Sequence, residues 1–275
     1  MVMANCPITM SLRANGQPWH PAPSAGGART GIRKVPAIAA YFWIVKVLTT
    51  AMGEVTSDYL VHLLNPIIAV ALAGISLAVA LFLQFRARSY AAALYWLAVV
   101  MVAVFGTMVA DVIHVGLGIP YLVSTAGFSV ALAATFVAWY RSERTLSIHT
   151  IFTRRREAFY WATVMATFAL GTAAGDMTAS TLGLGYFGSG VMFAVAIAIP
   201  ALAYRLLGVN AILTFWVAYV LTRPLGATFA DWLGRAPRLS GLGLGTGLVS
   251  LVLTIVIVIV VGYLSVTRKD VEPEG

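Results

Sequence analysis

One segment of 17 residues occurs four times in this chain, each time in the same register. Each copy reads aromatic residue, Trp, nine residues, Gly, three residues, a small residue and Asp. The copies are FWIVKVLTTAMGEVTSD (42–58), YWLAVVMVAVFGTMVAD (95–111), YWATVMATFALGTAAGD (160–176) and FWVAYVLTRPLGATFAD (215–231). Four of the seven Trp and four of the five Asp fall in register without a gap. This self-similarity predicts a fold assembled from four copies of one unit.

The repeats lie in a chain that is too apolar for a soluble domain. It is 60% hydrophobic and 10% charged, whereas soluble domains carry about 25% charged residues. A transmembrane helix needs about 20 mostly apolar residues. The stretches that qualify are 39–60, 66–85, 91–114, 121–140, 157–178, 187–207, 209–232 and 246–266. The sequence therefore predicts an all-α polytopic membrane protein with eight transmembrane helices, arranged as four parallel two-helix repeats.

The predicted domain organisation follows from these spans. The ranges are 1–35 for a disordered basic N-terminal tail, 36–268 for the membrane domain and 269–275 for a short C-terminal tail. The repeats within the membrane domain cover about 36–86, 89–141, 154–207 and 209–266. The tail lacks the apolar core of a signal peptide. The single cysteine, Cys6, excludes an internal disulfide and a cysteine-based metal cluster.

Basic residues predict the orientation in the membrane. Fourteen of the eighteen Lys and Arg lie in the terminal tails or in the joints that follow even-numbered helices. Only Arg235 and Arg238 lie on the opposite side, and Lys46 and Arg223 lie within spans. Both termini are therefore expected in the cytoplasm. The formal charge of +8 is explained by this asymmetry and by affinity for the lipid bilayer, so no nucleic-acid partner is implied.

The chain resembles the bacterial integral membrane proteins built from four copies of a two-helix repeat of unknown function. The resemblance covers about residues 35–266 and rests on the Trp, Gly-Thr or Gly-Glu, and Asp pattern with the turns like LGLGY that follow it. The first repeat departs from it, with HLLNP in place of that turn. The resemblance implies a multi-pass protein of the bacterial inner membrane and supplies no activity or cofactor.

Two positions of the repeat predict how the odd-numbered helices lie. The glycines are each followed four residues later by a small residue, which lets helix backbones approach closely in lipid. The pairs are Gly53 with Ser57, Gly106 with Ala110, Gly171 with Gly175 and Gly226 with Ala230. The odd helices are therefore expected to meet one another at these glycines. The repeated Trp, 15 residues before each Asp, is expected to anchor the cytoplasmic interface.

Polar residues recur on one face of the odd helices, since residues four apart share a face. The first helix carries Lys46, Thr50, Glu54, Asp58 and His62 in one such row. The rows of the other helices hold Thr107, Asp111 and His114, then Thr172 and Asp176, then Arg223 and Asp231. We therefore expect the odd helices to surround an acidic interior whose lining residues, expected to bind an ion, are Glu54, Asp58, Asp111, Asp176, Asp231, Thr107 and Thr172.

Lys46 and Arg223 are expected to act as counter-charges to these acids. Each lies eight residues before an acid of its own helix, about 12 Å of helical rise, so each should reach an acid on another helix. The first and fourth repeats would be neighbours if the four units closed into a ring. Lys can release its proton whereas Arg in practice cannot, which favours Lys46 for proton coupling.

Ionisable residues inside a membrane indicate a functional site, and an acidic cluster that exchanges cations for protons is typical of a cation transporter. A proton-coupled exporter or exchanger of a small cation is the leading hypothesis. Beside the acids, His62 and His114 would suit a divalent metal such as Mn, Zn or Fe, or act only as polar rim residues. The alternatives are a cation channel formed by a pseudo-four-fold ring, or structural acids that only hydrogen-bond the helices together. Enzyme motifs such as HExxH or GxSxG are absent, so neither an enzyme nor a cofactor is expected.

Overall fold

The computed structural model describes residues 34–271 of the chain. The long helices are α1 (Ala40–Leu63), α2 (Pro66–Arg86), α3 (Ala92–Asp111), α4 (Tyr121–Glu143), α5 (Arg154–Asp176), α6 (Gly185–Leu207), α7 (Ala211–Gly234) and α8 (Thr246–Thr267). Within this part of the chain there is no strand. The eight predicted helices are confirmed, and their bounds agree with the apolar stretches to within a few residues.

Six of the eight helices are long and apolar enough to cross a membrane by length and composition, namely α2, α3, α4, α6, α7 and α8. Helices α1 and α5 fall short of this. Several helix starts are specified locally: Asn65 caps α2 through its side chain, with Pro66 at the first helical position, and Asn210 caps α7 in the same way. Thr153 caps α5.

The four odd-numbered helices form a closed inner ring. Helix α1 packs against α3 and α7, and α5 packs against the same two helices. The order around the ring is therefore α1, α3, α5, α7, with the first and fourth repeats as neighbours. This closure brings together the helices that carry Lys46 and Arg223, as their expected pairing with acids of another helix requires.

The repeated glycines make the contacts of this ring, as predicted. Each packs against the residue that lies three positions before the glycine of the next odd helix. A methyl group added to the glycine would come too close to it: Gly53 to Ala103 (2.4 Å), Gly106 to Phe168 (2.8 Å), Gly171 to Arg223 (2.2 Å) and Gly226 to Thr50 (2.0 Å). The same register at all four interfaces means that the odd helices run parallel and at the same height.

The even-numbered helices lie outside the ring and interlock the repeats. Helix α2 packs chiefly against α3, α4 against α5, α6 against α7, and α8 against α1. Each even helix is thus seated mainly on the odd helix of the following repeat. Because α8 returns to α1, the outer layer closes in the same sense as the ring.

The outer helices expose large apolar side chains over much of their length. On α2 these include Ile67, Leu72, Ile75 and Val79, and most of the leucine, valine and isoleucine side chains of α8 are exposed in the same way. An apolar surface of this extent is far beyond the patches of a few hundred Å² on soluble monomers. Several long apolar helices with such a surface indicate a multi-pass membrane protein.

The repeated tryptophans lie near the beginnings of the odd helices, as expected, but the interface-anchor interpretation is wrong for three of them. Trp96, Trp161 and Trp216 are buried in an aromatic cluster. Trp216 donates to the carbonyl oxygen of Leu146 at 2.9 Å. The aromatic residue before each Trp enters the same cluster, where the hydroxyl groups of Tyr95 and Tyr160 are hydrogen-bonded. Tilted and edge-to-face aromatic rings therefore fill this end of the helical ring.

The ends of the described chain are tied to the same end of the bundle. Residues 1–33 of the predicted tail lie outside the described residues, but Lys34 and Val35 are already buried. Lys34 Nζ forms an ion pair with Glu157 at 2.6 Å. The hydroxyl of Tyr90 donates to the Asp270 carboxylate, so Lys34 and Asp270 both pack against the helical bundle.

Candidate functional site

A buried arginine occupies the middle of the helical ring. Arg223 of α7 has no exposed surface. Its Nη2 donates to Glu54 Oε2 at 2.8 Å and to Thr172 Oγ1 at 2.7 Å, and also to Thr107 Oγ1. Its Nη1 donates to the carbonyl oxygen of Thr50 at 3.1 Å. One guanidinium thus binds groups from all three other helices of the ring.

The repeat explains why these residues converge. Glu54, Thr107 and Thr172 each follow the interface glycine of their repeat, whereas the fourth repeat has Ala227 at this position. Arg223 enters from three residues before its glycine and fills the space that Ala227 leaves. Both threonine hydroxyls also lie within 3.4 Å of Glu54 Oε2. The expected pairing of Arg223 with an acid of another helix is confirmed, and the partner is Glu54.

Lys46 lies nearer to the aromatic cluster than Arg223 does, and it has no carboxylate partner among the described residues. It is 1% exposed, and its Nζ lies 4.0 Å from the ring centroid of Phe168 and 4.2 Å from that of Tyr219. Among the described residues, no hydrogen-bond acceptor reaches it. The expectation that Lys46 pairs with an acid of another helix is wrong. Contacts with aromatic faces partly stabilise the buried cation but do not replace a counter-ion.

The repeated aspartates lie at the opposite end of the odd helices from the aromatic cluster. Arg235, which directly follows α7, joins two of them: its Nη2 lies 2.9 Å from Asp58 Oδ2 and its Nε lies 2.9 Å from Asp231 Oδ1. Burial opposes the charge of Arg235, but the carboxylates of Asp231 and Asp58 outweigh it and hold the pKa of Arg235 above its ordinary value. The first and fourth repeats are thus bridged a second time.

The other two aspartates are unpartnered. Among the described residues, neither Asp111 nor Asp176 has a side-chain hydrogen bond or an ion pair, although Asp176 is buried. Each is followed by one turn of π-helix, Val112–Gly116 and Met177–Thr181. Such turns are rare and often occur at functional sites. Within the described residues, Arg235 therefore pairs with two of the four repeated aspartates, and the other two have no side-chain partner.

The histidines do not join the aspartates in a metal-binding arrangement. His62 Nδ1 is bonded to the backbone oxygen of Asp58 at 2.6 Å. His114 Nδ1 lies 3.1 Å from the Ser124 hydroxyl, and its ring packs on Tyr121. In the described part of the chain, no three His, Cys, Asp or Glu residues are grouped so that they could hold a metal ion.

Arg235 is the site residue that sequence reasoning missed, because it was counted among the loop residues of the outer side. The signal was present, since Arg235 lies four residues after Asp231 and thus on the same helical face. With it, five acids face three bases along the axis of the ring: Glu54, Asp58, Asp111, Asp176 and Asp231 against Lys46, Arg223 and Arg235.

The four-fold pattern behind this site also has a family model. The Repeat of Unknown Function (DUF347) matches the chain four times, at residues 41–90, 94–145, 159–208 and 214–270. The chain belongs to this family. Each match spans one odd helix of the ring and the even helix that follows it. A search of the curated proteins and of the solved structures finds no match to the chain.

Proposed function

We propose that this member of the repeat family is a transporter that exchanges a small cation for protons along the axis of its inner helical ring. The observation that carries the proposal is the Arg223–Glu54 pair at the centre of the ring, with the unpartnered Asp111 and Asp176 toward one end. A buried arginine and glutamate stabilise a fold weakly compared with apolar side chains. Ionisable residues on a transmembrane axis are characteristic of ion pathways.

The proposal includes eight membrane crossings, with both termini in the cytoplasm of a bacterium and the protein in its inner membrane. Helices α1 and α5 belong to the crossings although they are less apolar, because their polar side chains face the bundle interior. Lys46 and Glu54 of α1, and Thr167 and Thr172 of α5, are all buried. Polar and ionisable side chains of transmembrane helices almost always face the bundle interior in this way. Basic residues remain concentrated on the side that carries the termini.

In this scheme, the arginine occupies the ion-binding site when no substrate is bound. A cation attracted by Asp111 and Asp176 competes with Arg223 for the carboxylate of Glu54. The hydroxyl oxygens of Thr107 and Thr172 accept hydrogen bonds from Arg223. In the presence of the cation they would coordinate it instead. Lys46 lies beyond this site and can exchange a proton, which a guanidinium cannot.

A cation channel is the second candidate, and the closed ring of four parallel helices is the observation that favours it. Two features count against it. The axis is filled by Arg223, by Lys46 and by the aromatic cluster around Tyr95 and Tyr160. Two buried cations on the axis would also repel a cation that moved freely through it. A structural role without transport would need only the ion pair and would leave Asp111 and Asp176 without a purpose.

The test is a proton-flux measurement in proteoliposomes that contain a pH-sensitive dye. Gradients of Na⁺, K⁺, Mg²⁺ and Mn²⁺ are imposed in turn. We expect at least one cation to drive proton movement in the wild type and not in Asp111→Asn, which breaks no ion pair of the described residues. The matched control is Glu143→Gln, since Glu143 pairs with Arg156 outside the ring, and it should retain the flux.

Two outcomes would contradict the proposal. If the folded wild-type protein moves no protons with any of the four cations, exchange is excluded for these ions. If a cation crosses rapidly without proton movement, the channel is the better assignment.

A further inference from the structure

A basic cavity lies where α2 ends and α5 begins, at the end of the bundle that carries the aromatic cluster. It has a volume of about 590 Å³. Its lining includes the four basic residues Lys34, Arg86, Arg88 and Arg154, with Phe85 and Phe152 between them. Among the residues that the structure describes, no carboxylate contributes to the lining. A concave surface with this charge is suited to a phosphate group.

Three of the four positive charges in this cavity have no counter-ion within the described part of the chain. Lys34 is neutralised by Glu157 and also donates to the carbonyl oxygen of Phe85. Within the described residues, Arg86, Arg88 and Arg154 form no ion pair. Helix α5 begins with Arg154, so its positive dipole end adds to the field. Among the described residues, the cavity therefore carries positive charge without an acidic side chain in its lining.

The nearby acidic residue does not compensate these charges. Glu143 pairs instead with Arg155 at 3.5 Å and with Arg156 at 2.8 Å. Arg154 thus differs from the two arginines that follow it in sequence, because it lines the cavity and they are held by Glu143. This division of neighbouring arginines is specific to the fold and is not a property of the basic joint as a whole.

An apolar cleft extends the cavity toward the lipid-facing surface. A second cavity of about 350 Å³ shares Phe85, Arg86 and Arg154 with the first and is bounded by Phe82. Phe82 is exposed, and Val79 and Ile75 continue the same exposed face along α2. A free phosphate ion would use only the basic part. A phospholipid would use both, with its phosphate among the arginines and an acyl chain along α2.

We propose that this cavity binds the headgroup of an anionic phospholipid. The site is separate from the axis of the ring, so it does not depend on the transport activity. It differs from general attraction to an anionic membrane surface, because it requires specific arginines around one cavity.

The experiment is native mass spectrometry of the full-length protein in detergent, titrated with phosphatidylglycerol or phosphatidylcholine. The test variant is the double substitution Arg88→Gln and Arg154→Gln. The matched control is Arg141→Gln with Arg205→Gln, which removes two exposed arginines outside the cavity. We expect the wild type and the control to prefer phosphatidylglycerol, and the cavity variant to bind it about tenfold more weakly.

Three results would overturn the proposal. Equal weakening in the two double variants would mean unspecific attraction. Equal binding of the two lipids by the wild type would exclude recognition of negative charge. Stabilisation of the wild type by millimolar inorganic phosphate to the same extent as by phosphatidylglycerol would assign the cavity to a free anion.

If the Gln variant fails to fold, Arg88→Lys with Arg154→Lys replaces it. This variant keeps the charge but loses the planar fork, so undiminished binding by it would exclude guanidinium recognition.

Discussion

Arg223 of the fourth repeat donates to Glu54 of the first repeat at 2.8 Å, and this ion pair closes the ring of four helices from the inside. The pair lies at the same level as the contact of Gly226 with Thr50 between the same two helices. Charge pairing and backbone packing therefore act at one interface. Closure of the ring, which places α7 beside α1, makes this contact available.

Removing one member of the Arg223–Glu54 pair should destabilise the protein strongly. The substitution Glu54→Gln leaves a buried guanidinium without a counter-ion, which costs about 3–5 kcal/mol. We expect a clear fall in the thermal unfolding temperature in detergent. The double variant Glu54→Gln with Arg223→Gln should recover part of the loss, because neither buried charge remains. If the double variant is less stable than both single variants, the two residues do not act as a pair.

The interface glycines should not tolerate even one added methyl group. In Gly171→Ala the new methyl would come within 2.2 Å of the Arg223 side chain, and overpacking of this kind costs about 1–3 kcal/mol. The control is Gly262→Ala on α8, where a methyl group meets no atom within 4 Å. Size-exclusion profiles and thermal unfolding should show a loss for Gly171→Ala and none for Gly262→Ala. Equal stability of the two variants would exclude close packing at Gly171.

The four aspartates should separate into two classes. Asp231 pairs with Arg235, so Asp231→Asn should lower the unfolding temperature. Asp111 and Asp176 have no partner within the described residues, so Asp111→Asn and Asp176→Asn should fold normally and abolish the proposed cation-driven proton flux. The amide keeps most of the hydrogen-bonding capacity but removes the charge. Wild-type flux in both variants would favour a structural role for these acids.

Lys46 should link transport to the pH gradient. Its Nζ lies between two aromatic rings, so Lys46→Gln removes the exchangeable proton without breaking an ion pair. We expect this variant to move the cation down its own gradient but to lose the stimulation by an imposed pH gradient. Flux through proteoliposomes with and without that gradient measures this. If full stimulation remains, the coupling role assigned to Lys46 is wrong.

The membrane orientation can be tested with single cysteines in a variant that lacks Cys6. Ser180 lies in the π-helical turn after α5, and Ser142 lies near the end of α4. In intact cells we expect an impermeant maleimide to label Ser180→Cys, and to label Ser142→Cys only after permeabilisation. The reverse pattern would invert the proposed topology.

Much of the architecture was readable in the sequence, because membrane helices and repeats leave strong local patterns. The length of each apolar stretch predicts its helix, and the four glycines in register predict where the odd helices meet. The i and i+4 spacing by itself places Glu54 and Asp58 on one face of α1. These features depend on helical geometry alone, which is the same for every helix.

The partners of the charged residues were decided only by the tertiary structure. Spacing along one helix gives the direction of a side chain but not the helix that faces it. Arg223 reaches Glu54 because α7 lies beside α1, whereas Lys46 meets only the rings of Phe168 and Tyr219. Spacing along one helix also cannot show whether a tryptophan is buried. An aromatic residue near a helix start looks alike in sequence whether it faces lipid or packs into a cluster, and the packing of the helices around Trp96, Trp161 and Trp216 buries them.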